Sequence, residues 1–193
     1  MKNRVITISR EFGSGGRTIG KKAAEKLGIP CYDAEIIQAM AQETGFAPDY
    51  VQEAGEYAPG GFLSSAFSNR MFGPSNEDIL WEHQYKVITD LAAKSPCVIV
   101  GRCADYVLRN SANCLKVFFS APLESRIKRV AQRQNISEKE ARAVVQKNEK
   151  LRADNYRYYT RRMWGAAGNF DLSLNTDLGE EFIENCIRSA MKL

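Results

Sequence analysis

Ser9-Arg10-Glu11-Phe12-Gly13-Ser14-Gly15-Gly16-Arg17-Thr18 is the stretch whose reading decides the fold. An apolar run containing Val5, Ile6 and Ile8 leads into it, and a helix-like run from Lys21 to Leu27 leaves it. Glycines lack a Cβ, so backbone N–H groups in such a turn can converge on an anion. The helix that follows adds its unpaired N–H groups and the positive end of its dipole. Strand, glycine turn and helix, in that order, read as a phosphate cradle.

Against the pattern G-x-x-x-x-G-K-[ST], Gly15 takes the last glycine, Arg10 stands at the first, Gly16 replaces the lysine and Arg17 replaces the Ser/Thr, with Thr18 one position late. Two other readings stay open. One is an ordinary strand-to-helix turn with glycines for tight packing. The other is a dinucleotide fingerprint, in which Asp33, about twenty residues after Gly13, would bind a ribose. That fingerprint fits less well, because Thr18 occupies its third glycine position and three residues separate the strand from the first glycine.

Moving outward, 193 residues suffice for one domain with a real core, and 44% hydrophobic with 26% charged residues is ordinary for a globular chain. No apolar run is long enough to span a bilayer, so a membrane partner is not expected. Met1-Lys2-Asn3-Arg4 enters the first strand with no signal-peptide core before it, which makes cytoplasm the expected location. The five cysteines include no C-x-x-C pair, an arrangement that favours neither a disulfide framework nor a zinc site. Net charge is only +4, yet residues 126–162 hold twelve Lys/Arg against four acids, a local +8 that leaves −4 elsewhere. Such asymmetry points to an anionic partner for one face.

Further along, Ile29-Pro30-Cys31-Tyr32 reads as a short strand delivering Asp33, which is both a site candidate and a possible cap for a helix over 35–43. Residues 44–75 lack strong periodicity but carry Phe62, Phe67, Met71 and Phe72, which argues for a lid or substrate flap over a solvated linker. Ser75 with Asp78 is a capping box opening a helix to about Lys94, on which the single histidine, His83, reads as half-buried with no catalytic partner set. Cys97-Val98-Ile99-Val100 is a buried parallel strand that ends in Gly101-Arg102, where a guanidinium can grip a phosphate. Arg126, Arg129 and Arg133 share a helical face, and Ser137 with Glu140 opens a second long helix to about Tyr159. About five short apolar strands alternate with helices, which implies a parallel sheet covered on both faces.

With these pieces in place the chain resembles the cytidylate kinase-like family of the P-loop nucleoside monophosphate kinase group. The resemblance rests on residues 8–17, on Val98-Ile99-Val100-Gly101-Arg102, on Lys150-Leu151-Arg152 ahead of Tyr158-Tyr159, and on Phe170-Asp171-Leu172 ending in Asn175-Thr176. It implies a P-loop NTP hydrolase-type three-layer α/β/α sandwich with a five-stranded parallel sheet. Residues 1–193 would form one domain, with a flap for the nucleoside monophosphate over 44–75 and a helical lid over 134–159. The implied reaction moves the γ-phosphoryl of ATP to a nucleoside monophosphate, CMP or dCMP by analogy, with Mg2+ bridging the phosphates.

By the same resemblance Gly13, Ser14, Gly15, Gly16, Arg17 and Thr18 hold the ATP phosphates, and Ser14 or Thr18 lends a hydroxyl to Mg2+. Asp33, Arg102 and Asp105 bind the acceptor, and Arg17, Arg129, Arg133, Lys150 and Arg152 act on the transferring phosphoryl. The expected partner is a small nucleotide. Nucleic acid is disfavoured, because Tyr156, Tyr158, Tyr159 and Trp164 beside the basic stretch read as packing for a lid hinge. Two departures stand out: Gly16 where cytidylate kinases carry the loop lysine, with Arg17 the nearest substitute, and Glu149 where the lid favours aspartate. The first raises the alternative of a nucleotide-binding regulator without chemistry.

Overall fold

The computed structural model describes residues 4–54 and 75–191. Five strands, β1 (Val5–Arg10), β2 (Cys31–Tyr32), β3 (Cys97–Val100), β4 (Cys114–Ser120) and β5 (Leu172–Asn175), form one sheet in the order β2-β3-β1-β4-β5. Every pairing is parallel, and β1 lies between β3 and β4, with Ile6 in register with Val98 on one side and Leu115 on the other.

The two-residue period of the strands sorts their side chains into two apolar layers. Ile6, Ile8, Val98, Val100, Leu115 and Val117 pack with α1 (Gly16–Leu27) and α8 (Glu180–Ala190) through Ile19, Ala23, Ile183 and Ile187. Val5, Cys97 and Ile99 join the opposite layer, beneath α2 (Ala34–Thr44), α3 (Pro48–Ala54), α4 (Asn76–Lys94) and α5 (Ala104–Val107). The result is the expected three-layer α/β/α sandwich, held by side chains such as Ile6, Ile36, Ile88 and Ile99 at 0% exposure, each contributing about 1.5–3 kcal/mol of transfer free energy. A third cluster joins α6 (Leu123–Gln134) to α7 (Glu138–Thr160) through Ile127, Val130, Ala141 and Val145, and Phe12 from the glycine turn packs against it.

Both expected capping boxes form, Ser75 with Asp78 and Ser137 with Glu140, and each starts its helix where the sequence places it. The last strand starts two residues later than Phe170, whose ring turns inward and packs 4.9 Å from that of Phe118. Of the expected flap, residues 55–74, including Phe62, Phe67, Met71 and Phe72, lie outside the described residues. No helix among the described residues is long and apolar enough to cross a membrane.

Candidate functional site

The carboxyl ends of β1 and β3 open into a cleft of about 660 Å³. Its floor is the glycine turn. Gly15 adopts a left-handed φ of 83° and starts α1, and as a glycine it places no capping side chain between the first turn and the cleft. Gly16 is glycine for a packing reason: a Cβ would lie 2.8 Å from the Phe119 ring and 2.9 Å from Arg10 Cβ. The position that carries lysine in the motif is closed to any side chain here, because β4 supplies Phe119 directly beneath it.

Bonds between this turn and distant parts of the chain brace it. The Glu11 carboxylate accepts the Ala121 N–H at 2.9 Å and faces Arg126 Nε at 3.5 Å. Arg126, only 8% exposed, also reaches Glu149 at 3.3 Å. Glu149 in turn accepts the Phe12 N–H at 2.6 Å and the Trp164 indole N–H at 2.6 Å. On the other flank the Ser14 carbonyl accepts from Thr176 Oγ1 at 2.7 Å and from Arg129 Nη1 at 3.3 Å, while Arg129 also pairs with Asp177. Arg152 donates to the Arg10 carbonyl at 3.1 Å and lies 5.0 Å over the Phe12 ring.

The expected site residues divide accordingly. Gly13, Gly15, Gly16, Arg17, Thr18, Asp33, Arg102, Arg129, Arg133 and Arg152 all line the cleft. Arg133 is exposed, lies 5.9 Å over the Phe12 ring and makes no ion pair with a described carboxylate. Arg17 turns to Asp33, its Nε pairing with Asp33 Oδ2, so these two expected ligand groups neutralise one another across the cleft. Asp33 does not cap α2; its own N–H donates to Glu35 at 3.0 Å.

Three expected site residues, Ser14, Asp105 and Lys150, do not line the cleft. The Ser14 side chain is buried, its hydroxyl accepts the Gly16 N–H at 3.4 Å, and it does not line the cleft, so Thr18 is the hydroxyl presented there. Asp105 is 1% exposed and lies beneath the floor, where it accepts from Ser9 Oγ at 3.0 Å and from the Tyr156 hydroxyl at 2.7 Å. Burial pushes its carboxyl above the usual range and the Tyr156 phenol up as well, so Asp105 links β1 to α7 instead of meeting an acceptor. Lys150 points to solvent with its side chain 81% exposed and pairs with Asp154 at 3.2 Å.

Arg102 stands where β3 ends, with φ at 58°, and its carbonyl accepts from Gln84 Nε2 at 2.9 Å. Its guanidinium donates to the Val51 carbonyl at 3.4 Å. Next to it Cys103 is buried, and burial pushes its thiol up, which rules out a ready thiolate nucleophile. The roles of Gln84 and Glu11 escaped the sequence reading, since Gln84 meets Arg102 from another element and Glu11 meets Ala121 from 110 residues away. The rings beside the basic stretch are engaged internally: Tyr156 is buried, and Tyr159 stacks on Trp81 at 4.3 Å.

A parallel sheet whose central strand opens into a glycine turn ringed by guanidinium groups belongs to an enzyme of nucleoside monophosphate kinase type. More particularly, the chain belongs to the cytidylate kinase-like family, whose model matches residues 5–178. It is 33% identical to a cytidylate kinase of Pyrococcus horikoshii over 138 residues, which are 71% of this chain and 61% of that protein. It is 27% identical to a cytidylate kinase of Methanobrevibacter smithii over 98% of this chain and 99% of that one. Among solved structures, an uncharacterized protein from Eubacterium ventriosum superimposes with a TM-score of 0.75 at 25% identity, covering 100% of this chain and 99% of that chain. A shikimate kinase from Bacteroides thetaiotaomicron, at 14% identity, shares the fold with a TM-score of 0.58 over 98% of each chain.

Proposed function

We propose that the chain transfers the γ-phosphoryl group of ATP to a nucleoside monophosphate, with CMP or dCMP as the acceptor. The observation that carries this reading is the cleft itself, lined by Gly13, Gly15, Gly16, Arg17 and Thr18 of the glycine turn and by Arg133, which makes no ion pair with a described carboxylate. Phosphoryl transfer asks for positioning and charge neutralisation more than for covalent chemistry, and this lining offers both. The amides hold the donor phosphates. Arg133 and Arg152 reach the transferring group from α6 and α7, and Arg102 binds the acceptor phosphate. Arg129 fixes the turn through the Ser14 carbonyl. Release of Arg17 from Asp33 on nucleotide binding supplies a further cation, while Asp33 becomes free to accept from the acceptor nucleoside.

The donor set fits magnesium only as a nucleotide-borne ion. No cluster of three His, Cys, Asp or Glu among the described residues would hold a metal unaided, whereas the Thr18 hydroxyl lines the cleft beside the phosphate turn. Mg2+ would offset charge on the phosphate oxygens when bound. The flap is assigned to 44–75 and the lid to 134–159, within a single domain. A regulator without chemistry finds less support, because the Pyrococcus horikoshii and Methanobrevibacter smithii relatives are both named cytidylate kinases. An ADP-release assay with ATP, Mg2+ and each of CMP, dCMP, UMP, AMP and GMP tests the reading. Acceptor-dependent ADP formation, fastest with CMP or dCMP, is expected; no turnover above background with any acceptor overturns it.

A further inference from the structure

We propose that Glu149 is the positioning residue that sets the glycine turn, by a carboxylate that takes three donors at once. Its Oε2 accepts the Phe12 N–H at 2.6 Å and faces Arg126 Nη1 at 3.3 Å, and its Oε1 accepts the Trp164 Nε1–H at 2.6 Å. Phe12 is the residue immediately before the turn's first left-handed glycine, Gly13, whose φ is 81°. The bond therefore ties α7, from 137 residues away, to the point where the backbone begins to curl around the anion position.

The chemistry of the neighbours demands an acceptor-only group of this length. An ionised carboxylate accepts at both oxygens, whereas a glutamine amide would turn two N–H donors toward at least one group that also donates. Aspartate would fall short by one C–C bond, about 1.5 Å, so it could not span from α7 to the Phe12 N–H. The glutamate side chain is 22% exposed and Arg126 beside it 10%, so these bonds are largely shielded from water. One helical turn along α7, Arg152 holds the Arg10 carbonyl at 3.1 Å, so α7 grips the chain on both sides of Glu11. The turn is thus preorganised from α7 before any nucleotide arrives, which is the condition under which aligned amides act on charge without reorganising.

The consequence for ATP rests on the function proposed above; the positioning itself does not. The test uses the full chain in a Trp81→Phe background, where Trp164 is the only tryptophan of the original two. Glu149→Gln and Glu149→Asp are compared with Trp164→Phe. Amide hydrogen exchange at Phe12 to Gly15 is expected to speed up by about tenfold or more in both Glu149 variants, with β3 amides unchanged, and Trp164 emission to shift. Trp164→Phe is expected to leave exchange at Phe12 within about threefold. By calorimetry the Kd for ATP should rise about tenfold in Glu149→Gln while that for CMP stays within about twofold. Unchanged exchange at Phe12 to Gly15 overturns the proposal, and so does a rise spread evenly over β3, which would make Glu149 a general stabiliser. A wild-type chain without acceptor-dependent ADP release sinks the proposed function and not this inference, which the exchange rates decide.

Discussion

Two turns meet at the carboxyl edge of the sheet, and they are built on opposite principles. The turn after β1 takes its left-handed conformations from glycine, at Gly13 (φ 81°) and Gly15 (φ 83°), and borrows its rigidity from side chains elsewhere, Arg126, Arg129, Glu149 and Thr176, with its own Glu11 reaching back to Arg126. The turn after β3 has one glycine, Gly101 (φ 78°), then forces Arg102 (φ 58°) and Cys103 (φ 51°) into the same left-handed region. Each non-glycine residue there costs about 1–3 kcal/mol and persists only where its surroundings over-determine it. The Gln84 amide on the Arg102 carbonyl and the Ile8 carbonyl on the Gly101 N–H, at 2.8 Å, are such surroundings. Under the proposed function the difference is apt: a turn that binds through its backbone is best made of glycine, and one that places a guanidinium keeps the side chain and bears the strain.

The largest effect that separates the two turns comes from adding side chains to their glycines. Gly16→Lys restores the motif lysine, yet its Cβ would meet the Phe119 ring and Arg10 Cβ, neither of which is the free end of a flexible chain. Loss of about 2–3 kcal/mol in urea denaturation and loss of ATP binding by calorimetry are expected. Gly101→Ala places its Cβ against the tip of the Arg10 guanidinium, the far end of a flexible side chain, and adds the left-handed backbone cost of about 1–2 kcal/mol to that of moving the tip. A Gly16→Lys chain that binds ATP more tightly than wild type would break the comparison, because the β1 turn would then have room it is argued not to have.

Next in size is the strained turn's side chain. Arg102→Ala should raise the KM for the acceptor by about 10- to 100-fold, the worth of a charge-assisted hydrogen bond, with the KM for ATP nearly unchanged. Arg102→Gly should lose the same affinity yet be about 1 kcal/mol more stable than Arg102→Ala, since glycine relieves the backbone. Gln84→Met keeps the volume and leaves the Arg102 carbonyl without its amide partner, so a three- to tenfold rise in acceptor KM is expected. Equal losses for ATP and acceptor in these variants would mean that the β3 turn serves the whole cleft and not one ligand.

What could be read from the sequence follows the same division. The β1 turn, both capping boxes and the alternating apolar layers were legible because each depends on residues within a few positions of one another. The Arg126, Arg129 and Arg133 face was legible from helical spacing, although Arg126 proves to be buried behind the turn and not presented to the cleft. The braces were not legible: Glu149 to Phe12 spans 137 residues and Gln84 to Arg102 joins a helix to a strand end, contacts that no local pattern encodes. The place of Asp105 was not legible either: the resemblance sets it with Arg102 on the acceptor, whereas α5 tucks it under the floor against Ser9 and Tyr156.

Asp105 supplies a smaller, pH-dependent effect on the scaffold that joins the two turns. Burial raises its carboxyl above the ordinary value of 3.8, so between 3.8 and the raised value the folded chain holds a proton that the unfolded chain has released. Stability then falls as pH rises through that window, and the loss is complete above it. Asp105→Asn cannot ionise and can still bond Ser9 and Tyr156, one through its oxygen and the other through its amide. Thermal melting from pH 4 to 7 should therefore show this loss in wild type and a flatter profile in Asp105→Asn; parallel profiles would remove the carboxyl from the account.

The smallest expected effect is the sharpest check on which charges serve the β1 turn. On α7 successive residues advance about 100°, so Lys150 and Arg152 lie about 200° apart and cannot both face one cleft. Glu149, Arg152 and Tyr156 follow the three- and four-residue spacing of a single face, and each meets the turn or its floor. Lys150 instead pairs with Asp154 in solvent, where such a pair contributes little and is screened by salt. Lys150→Ala should leave kcat, both KM values and their salt dependence within about twofold of wild type. Arg133→Ala, from the neighbouring helix, should lower kcat by about 10³-fold, with acceptor KM little changed, as for a cation that acts on the transferring group. Were Lys150→Ala to cost as much as Arg133→Ala, α7 would have to rotate by nearly half a turn during catalysis, which would break the Glu149 and Arg152 bonds that hold the β1 turn.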